Sequence, residues 1–597
     1  MTPLFSLNLN PDGAFYYQGK KTQAKTAIVR YWESDRLIVI LQGRIYYLAD
    51  LKKSFHLSED NPLSLIAELY QKQGDQALAQ LEGEFALVIG DRREKRLILC
   101  RDPMGNYPLY WRENANGITV SSRLKQLVPP GERTLNKAYL AQYLSYSFAF
   151  TELPKPETIY DHCYRLLPGQ ILALSIGKPH QILFHNHLLA NLTPITDITP
   201  QEAGKQFRQL LSQAITERCQ FGKIGAHLSG GMDSSAVVCL ANQQTNLTTL
   251  SLVYQLKTLV KETDYIQLIL DQQPDLNSVL INGDRLLDFQ WFDQPMPDHD
   301  EPYAGLFHLA IETALAQKAA ALGLNTVLTG SGAEIVAEAN HYGLADQLHQ
   351  GHWQAVWQKS QQWAIASNQN RWTILTEFAL KPLLPNGLRF SPRTLLHQGV
   401  GSWPHLGSYD IAPWICPQFR RDQQLWSINR GLINQLRTPP IERSLDKLAL
   451  NCLAGVWANW YLNNPLGIHI AQPFLDPRVI QFCLGLPASI RDQPGVKKPL
   501  MQLAFADILP AKILLRKYKA NFNEPYWKGL NQNLEGLKQL VRRSSLSQAD
   551  PSSPIFNPRI FNDCLESHGV GIGDVGSGSH LCRALALMAW ETSIHSD

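Results

Sequence analysis

Between Phe5 and about Leu127 apolar and polar residues alternate in short runs: AIVRYW (27–32), RLIVILQGRIYYL (36–48), GEFALVIGD (83–91), RLILCRD (96–102) and GITVSS (117–122). A period of two, broken by turn residues, predicts strands. With so few helical stretches between them, these runs predict a β-rich domain, which a strand pair around PGQILALS (168–175) completes. Polar NHLLANLTPITDITP (186–200) then marks a boundary near residue 195.

Beyond it the period changes. QEAGKQFRQLLSQAITERCQ (201–220) puts Phe207, Leu210, Leu211, Ala214 and Ile215 on one helical face. Strand candidates KIGAHL (223–228), LTTLSLVY (247–254), LNSVLIN (276–282) and NTVLTG (325–330) alternate with helical segments such as YAGLFHLAIETALAQKAAALG (303–323). This alternation predicts a doubly wound parallel sheet covered on both faces, with ligands at the carboxyl ends of its strands. From about residue 345 the pattern is helical and rich in tryptophan, and the tryptophans of 353–460 are expected in the core. The reading is an α/β chain of two domains, 1–195 and 200–597.

Composition narrows the partners. The charge of +3 comes from scattered basic residues, which argues against nucleic acid or an anionic membrane. No apolar run is long enough to span a bilayer, and no basic segment precedes an apolar one at the start, so the expected location is cytoplasmic. Nine cysteines with no Cys-x-x-Cys pair read as buried thiols in a reducing compartment.

The candidate chemistry lies in HLSGGMDSSAVV (227–238), between a strand predicted over Ile224 to Leu228 and a helix predicted over Ser235 to Asn242. Gly230 and Gly231 let several backbone N–H groups converge on one oxygen-rich group, aided by the helix dipole. This is a phosphate cradle, and it is not a Walker A loop because no Gly-Lys-Ser/Thr follows the glycines. Asp233 inside such a cradle requires a cation between carboxylate and phosphate, and magnesium suits that role. VLTGSGAEIV (327–336) offers Glu334 as a second acidic ligand from a neighbouring strand end. Asp300 and Glu301, ahead of Pro302, read as helix caps rather than substrate ligands. GIGDVG (571–576) fits a dinucleotide fingerprint but lacks a βαβ setting and reads as a loop.

Ser-Gly-Gly-x-Asp-Ser is also the pattern of the pyrophosphate loop of ATP pyrophosphatases, and nearly the whole chain resembles the asparagine synthetase family. LQGRIYYLADL (41–51) and LEGEFALVIGDRREKRLILCRDPMGNYPLYW (81–111) are similar to stretches of a class II glutamine amidotransferase domain, which implies an Ntn-hydrolase sandwich. The loop, TLSLVY (249–254), KETDYI (261–266), DEP (300–302) and TGSGAEI (329–335) resemble the synthetase half. That resemblance implies that Leu228, Leu252, Thr329 and Gly330 border ATP. Ser229, Gly230, Gly231, Ser234 and Ser235 would hold its pyrophosphate, Asp233 and Glu334 would hold Mg2+, and Lys519 would meet pyrophosphate and the collapsing intermediate, with Glu334 standing where the family has Asp.

Two departures redirect the function. Thr2 stands where the family's glutaminase needs cysteine, and Arg44 replaces the acid that binds the glutamine ammonium, so this half reads as a scaffold. Relatives without that cysteine use an amine already on the substrate, as β-lactam synthetases and lasso peptide macrolactam cyclases do. HYGLADQLHQGHW (341–353), AQPFLDPRVIQFCLGLP (471–487), LLRKYKANFNEPYWKGL (514–530) and the tail ending RALALMAWE (583–591) look most like the cyclases. The catalytic tyrosine of β-lactam synthetases is Ser331 here, and no glutamate stands at a matching distance to rebuild their tyrosine-glutamate pair. A terminal α-amine is partly neutral at cytosolic pH, so amine attack can proceed without a strong base. The expectation is an AMP-forming amide ligase acting on a peptide or small carboxylate, with a leader peptidase and a precursor-recognition protein as partners. The alternatives are an ammonia-using asparagine synthetase, a β-lactam synthetase-like cyclase of small molecules, and a non-catalytic scaffold.

Overall fold

A computed structural model of the chain describes residues 5–24, 26–146, 150–185, 188–189, 192–255, 260–384, 411–435, 439–516, 523–548, 555–572 and 575–594. Among the described residues eleven strands build the amino-terminal region: β1 (Phe5–Leu9), β2 (Phe15–Gly19), β3 (Val29–Glu33), β4 (Leu37–Tyr46), β5 (Glu82–Asp91), β6 (Arg96–Arg101), β7 (Tyr110–Asn114), β8 (Gly117–Ser121), β9 (Tyr164–Arg165), β10 (Gln170–Leu174) and β11 (Gln181–His185). They form two antiparallel sheets, β2-β1-β8-β7-β9 and β11-β10-β6-β5-β4-β3. Alternation along β4 explains the layering. Ile38 and Ile40 enter the core between the sheets with Leu7, Val88 and Leu97, whereas Leu37, Val39 and Leu41 pack on the other side with Leu65, Ile66 and Leu69 of the helix Pro62–Gln73. The second sheet is covered on both faces, so its strands read as nearly unbroken apolar runs.

The carboxyl-terminal region holds one parallel sheet of β12 (Ile224–His227), β13 (Thr248–Val253), β14 (Asn277–Asn282), β15 (Thr326–Leu328) and β16 (His469–Ala471), in the order β14-β13-β12-β15-β16. Chain order reverses at β12, the switch point where ligands of such sheets collect. The helix Pro200–Arg218, opened by a capping box of Thr199 and Glu202, packs against this sheet region through Phe207, Leu211 and Ile215. β16 is a fifth strand the sequence pattern does not reveal, because three residues are too few for a period.

Several expectations need correction. The strand before the glycines ends at His227, and the following helix starts at Met232 rather than Ser235. Gly231 is extended, and the Ser235 N–H donates to its carbonyl at 3.1 Å as the first helical hydrogen bond, which places Asp233 in the first turn. Asp300 and Glu301 cap no helix. Asp300 accepts from Arg123 Nε at 2.8 Å and from the Lys125 backbone at 3.0 Å, and Glu301 accepts from Arg165 at 2.6 Å, so both tie the second region to the first. Trp363, Trp414, Trp457 and Trp460 are buried, but Trp353, Trp357, Trp372 and Trp426 are exposed, so the tryptophan-rich segment is core only in part. GIGDVG follows the helix Pro558–Gly569 with no flanking strand; its residues 573–574 are outside the described ones, and Val575 and Gly576 already belong to the helix Val575–Ile594 rather than to a loop. Among the described residues no helix is long and apolar enough to cross a membrane.

Arg44 joins the two regions. It leaves β4 for the second region, where it donates to Thr326 Oγ1 at 2.6 Å and the Asn325 carbonyl at 3.2 Å and lies over the Phe221 ring. Beside it, Arg218 bridges Glu84 and Asp476, each at 2.9 Å, while Tyr46 and Tyr47 donate to the same two carboxylates. His469 completes the cluster between Glu84 and the Tyr107 hydroxyl. Burial pushes the Glu84 carboxyl up, but Arg218 and His469 outweigh it and hold it at about 2. Burial, then the charge of Arg44, lowers His469 to about 4, so its ring is neutral.

Candidate functional site at the carboxyl end of β12

Two cavities meet at the loop after β12. The one on the β13 side, about 640 Å³, is apolar at Leu228, Leu250, Leu252 and Ile513 and basic at Lys497, Lys498 and Arg516. The one on the β15 side, about 470 Å³, is lined by Tyr303, Thr329, Gly330, Ser331, Glu334, Trp457 and Gln472. His227, Ser229, Gly231, Asp233, Glu312 and Leu315 line both.

The loop is held by its own serines. The Ser229 N–H donates to Ser234 Oγ at 3.1 Å, and the two hydroxyls lie 3.0 Å apart. Gly230 has φ +71°, and a Cβ there would stand 2.7 Å from the Tyr265 side chain, so this position tolerates only glycine. At Gly330 a Cβ would stand 2.7 Å from the Ser234 nitrogen, which keeps the TGSG turn against the loop. Three buried hydroxyls here, Ser235 Oγ, Thr329 Oγ1 and Ser251 Oγ, have no hydrogen-bond partner, which is costly unless a ligand satisfies them.

Of the sequence-predicted residues, Leu228, Ser229, Gly231, Asp233, Ser234, Leu252, Thr329, Gly330 and Glu334 line one or both cavities. Gly230 and Ser235 shape the loop without lining them. Lys519 lies outside the described residues.

The structure adds three residues that the motifs do not mark. Lys498, itself buried, donates to both Asp233 oxygens at 2.7 Å. Only the doublet KKP (497–499) hinted at it, and a sequence separation of 265 hid the pairing. Glu312 and Tyr303 are the others. Each oxygen of Asp233 keeps a second lone pair, and Asp233 with Glu334 supplies two carboxylates to the β15-side cavity, which the unpaired Thr329 also lines. Two carboxylates, completed by phosphate oxygens and water, are a donor set that fits Mg2+. Among the described residues no cluster of three or more acidic, histidine or cysteine ligands exists, so a site held by protein alone is not built here.

The asparagine synthase family profile matches residues 206–409 and 465–592, and the glutamine amidotransferase domain profile matches 28–184. The chain belongs to the asparagine synthase family. It is similar to a putative glutamine-hydrolyzing asparagine synthetase 2 of Methanocaldococcus jannaschii, 29% identical over 256 residues, covering 41% of this chain and 48% of the relative. Glutamine-hydrolyzing asparagine synthetase 1 of Bacillus subtilis is 26% identical over 232 residues, 38% of this chain and 36% of the relative. The matched spans are therefore about half of these relatives' length or less.

Within that family frame, the amidotransferase signature of this chain does structural work. Arg101 is buried against Glu152 at 2.7 Å and donates to the Leu166 and Gly105 carbonyls. Asp102 accepts from the backbone of Phe85, Met104 and Asn106, fixing the turn that delivers Tyr107 to His469.

Proposed function

We propose that the protein is an ATP-dependent, AMP-forming amide ligase that activates a carboxylate and joins it to an amine carried by the substrate, most specifically closing a peptide macrolactam. The observation that carries this reading is the contrast between a phosphate loop with orphaned hydroxyls and an amidotransferase side whose Arg44 is committed to the domain interface.

In this mechanism adenine lies against Leu228, Leu250 and Leu252. The triphosphate reaches the loop, where Ser229, Gly231, Ser234 and Ser235 receive the departing pyrophosphate. The substrate carboxylate attacks the α-phosphorus from the β15 side, because oxide is too poor a leaving group for direct amide formation. Asp233 and Glu334 would hold Mg2+, which supplies charge neutralisation on the phosphates. Lys498 keeps the Asp233 carboxylate oriented and adds positive charge to the same face. Lys519 takes its role, stabilising the oxyanion and leaving AMP, from the family likeness. The substrate is a peptide or small carboxylate, with a leader peptidase and a precursor-recognition protein as partners in the cytoplasm.

Incubation with ATP, Mg2+ and a peptide bearing a free amino terminus and an internal acidic residue is expected to release pyrophosphate and AMP and to lower the peptide mass by one water. ADP as product, or unchanged peptide despite pyrophosphate release, overturns this reading. The matches to asparagine synthetases favour a second one, ammonia-dependent amidation of aspartate, which ammonium-dependent asparagine formation would establish.

A further inference from the structure

Glu312 belongs to no motif, yet it stands where the chemistry must occur. It projects from the helix Leu309–Ala321 on the face that also carries Ile311, Leu315 and Ala319, an apolar stripe at helical spacing. A carboxyl on such a face needs a reason. Glu312 lines both cavities, and so do Ser229 and Asp233, which places it at the junction between the loop and the β15-side chamber. An acyl group handed from a nucleotide on one side to an amine on the other passes through that junction. Among the described residues no hydrogen bond or ion pair ties Glu312 to the protein, while Asp233 at the same junction is held by Lys498. Ser331, at the position of the β-lactam synthetase tyrosine, has no basic character, and His227 on the shared wall is lowered by burial to about 4. Burial raises Glu312 above the ordinary glutamate range, with His308 opposing, which moves it toward the pH at which a general base works best. Burial, then the charge of Glu312, pushes the hydroxyl of nearby Tyr303 up to about 12, so Tyr303 stays protonated and is suited to donating a hydrogen bond.

We infer that Glu312 is the general base of the amide-forming half-reaction, with Tyr303 a positioning residue beside it. This rests on the ligase reading above. The amine nitrogen attacks the acyl carbon of the acyl adenylate, a C–N bond forms, and the carbonyl π electrons move to oxygen. Glu312 takes the N–H proton, the carbonyl re-forms with cleavage of the bond to the phosphate oxygen, AMP departs, and the proton passes to solvent. The acceptor is thus an amine brought into the junction by the substrate itself, and Glu312 does for this chain what Ser331 cannot.

The test separates the two half-reactions in the full-length protein. Pyrophosphate exchange into ATP, with L-aspartate and with the acidic peptide as carboxylates, reads adenylation; amide product reads the second step. Glu312→Gln is expected to slow amide formation by about 10²–10⁴-fold and exchange far less. With an amino-acetylated peptide and hydroxylamine as acceptor, a weak base already neutral at working pH, the variant is expected to approach the native rate of hydroxamate formation. Glu312→Asp, recovering part of the amide rate with a native melting curve, excludes misfolding. Equal loss of exchange and amide formation, or a loss confined to the KM of the carboxylate, overturns the assignment and makes Glu312 a binding residue. Absence of exchange in the native protein with either carboxylate overturns the ligase reading itself, and the assignment with it.

Discussion

Two buried polar clusters stand at opposite ends of β15, and they differ in how completely they are satisfied. At its start, Glu84, Arg218, His469, Asp476 and three tyrosines hydrogen-bond one another across the two regions, and Arg44 beside them donates to Thr326. Past its end, Ser235, Thr329 and Ser251 leave hydroxyls unpaired and Glu312 faces a cavity. A closed network of charges specifies structure, whereas unmet hydrogen-bonding capacity beside a cavity marks a place for a ligand. The amidotransferase-like half thus anchors the start of β15, while polar groups past its end are left open to a ligand.

The sharpest way to break that contrast is Asp233→Asn. It removes the charge opposite Lys498 and the phosphates and is expected to lower pyrophosphate release by about 10³-fold, measured by a coupled pyrophosphate assay, with the fold intact. Arg218→Ala on the other side is expected to cost roughly 3–5 kcal/mol in urea unfolding, because Glu84 and Asp476 lose their buried partner. Gly330→Ala drives a Cβ into the Ser234 backbone and is expected to raise the KM for ATP about tenfold.

Acid should sharpen the comparison further. The folded pKa of His469 lies near 4, below its unfolded value, so the unfolded chain binds the proton first and stability falls as pH drops below about 6.5. Glu84, held at about 2, contributes stability above its unfolded pKa that is then lost as pH falls toward 2. The melting temperature in a pH series should thus decline in two stages, and Glu84→Gln should remove the second. Smallest of all, Trp372→Ala on the exposed surface is expected to change stability by less than about 0.5 kcal/mol.

Much of this was legible in the chain. The period of two, the later strand-helix alternation and the glycine-serine motif led to the β-rich region, the parallel sheet and the loop after β12, because these signals are local. What was hidden is long-range. Lys498 meets Asp233 across 265 residues, and Arg44 meets Thr326 across 282, separations no periodicity encodes. Glu312 looked like one more residue of an alanine-rich helix until folding turned its face to the loop. Asp300 and Glu301 looked like caps because Pro302 follows them, yet Arg123 and Arg165 draw them across the interface. A motif shows which residues cluster along the chain; only the folded topology shows which charges cancel.

β15 is three residues long, gripped at Thr326 by Arg44 of the amidotransferase-like half and held against the loop by Gly330 just beyond its other end. A tether that short leaves little slack to absorb movement. The amidotransferase-like half therefore cannot be cut away without unmooring the strand from which the other half hangs its turn.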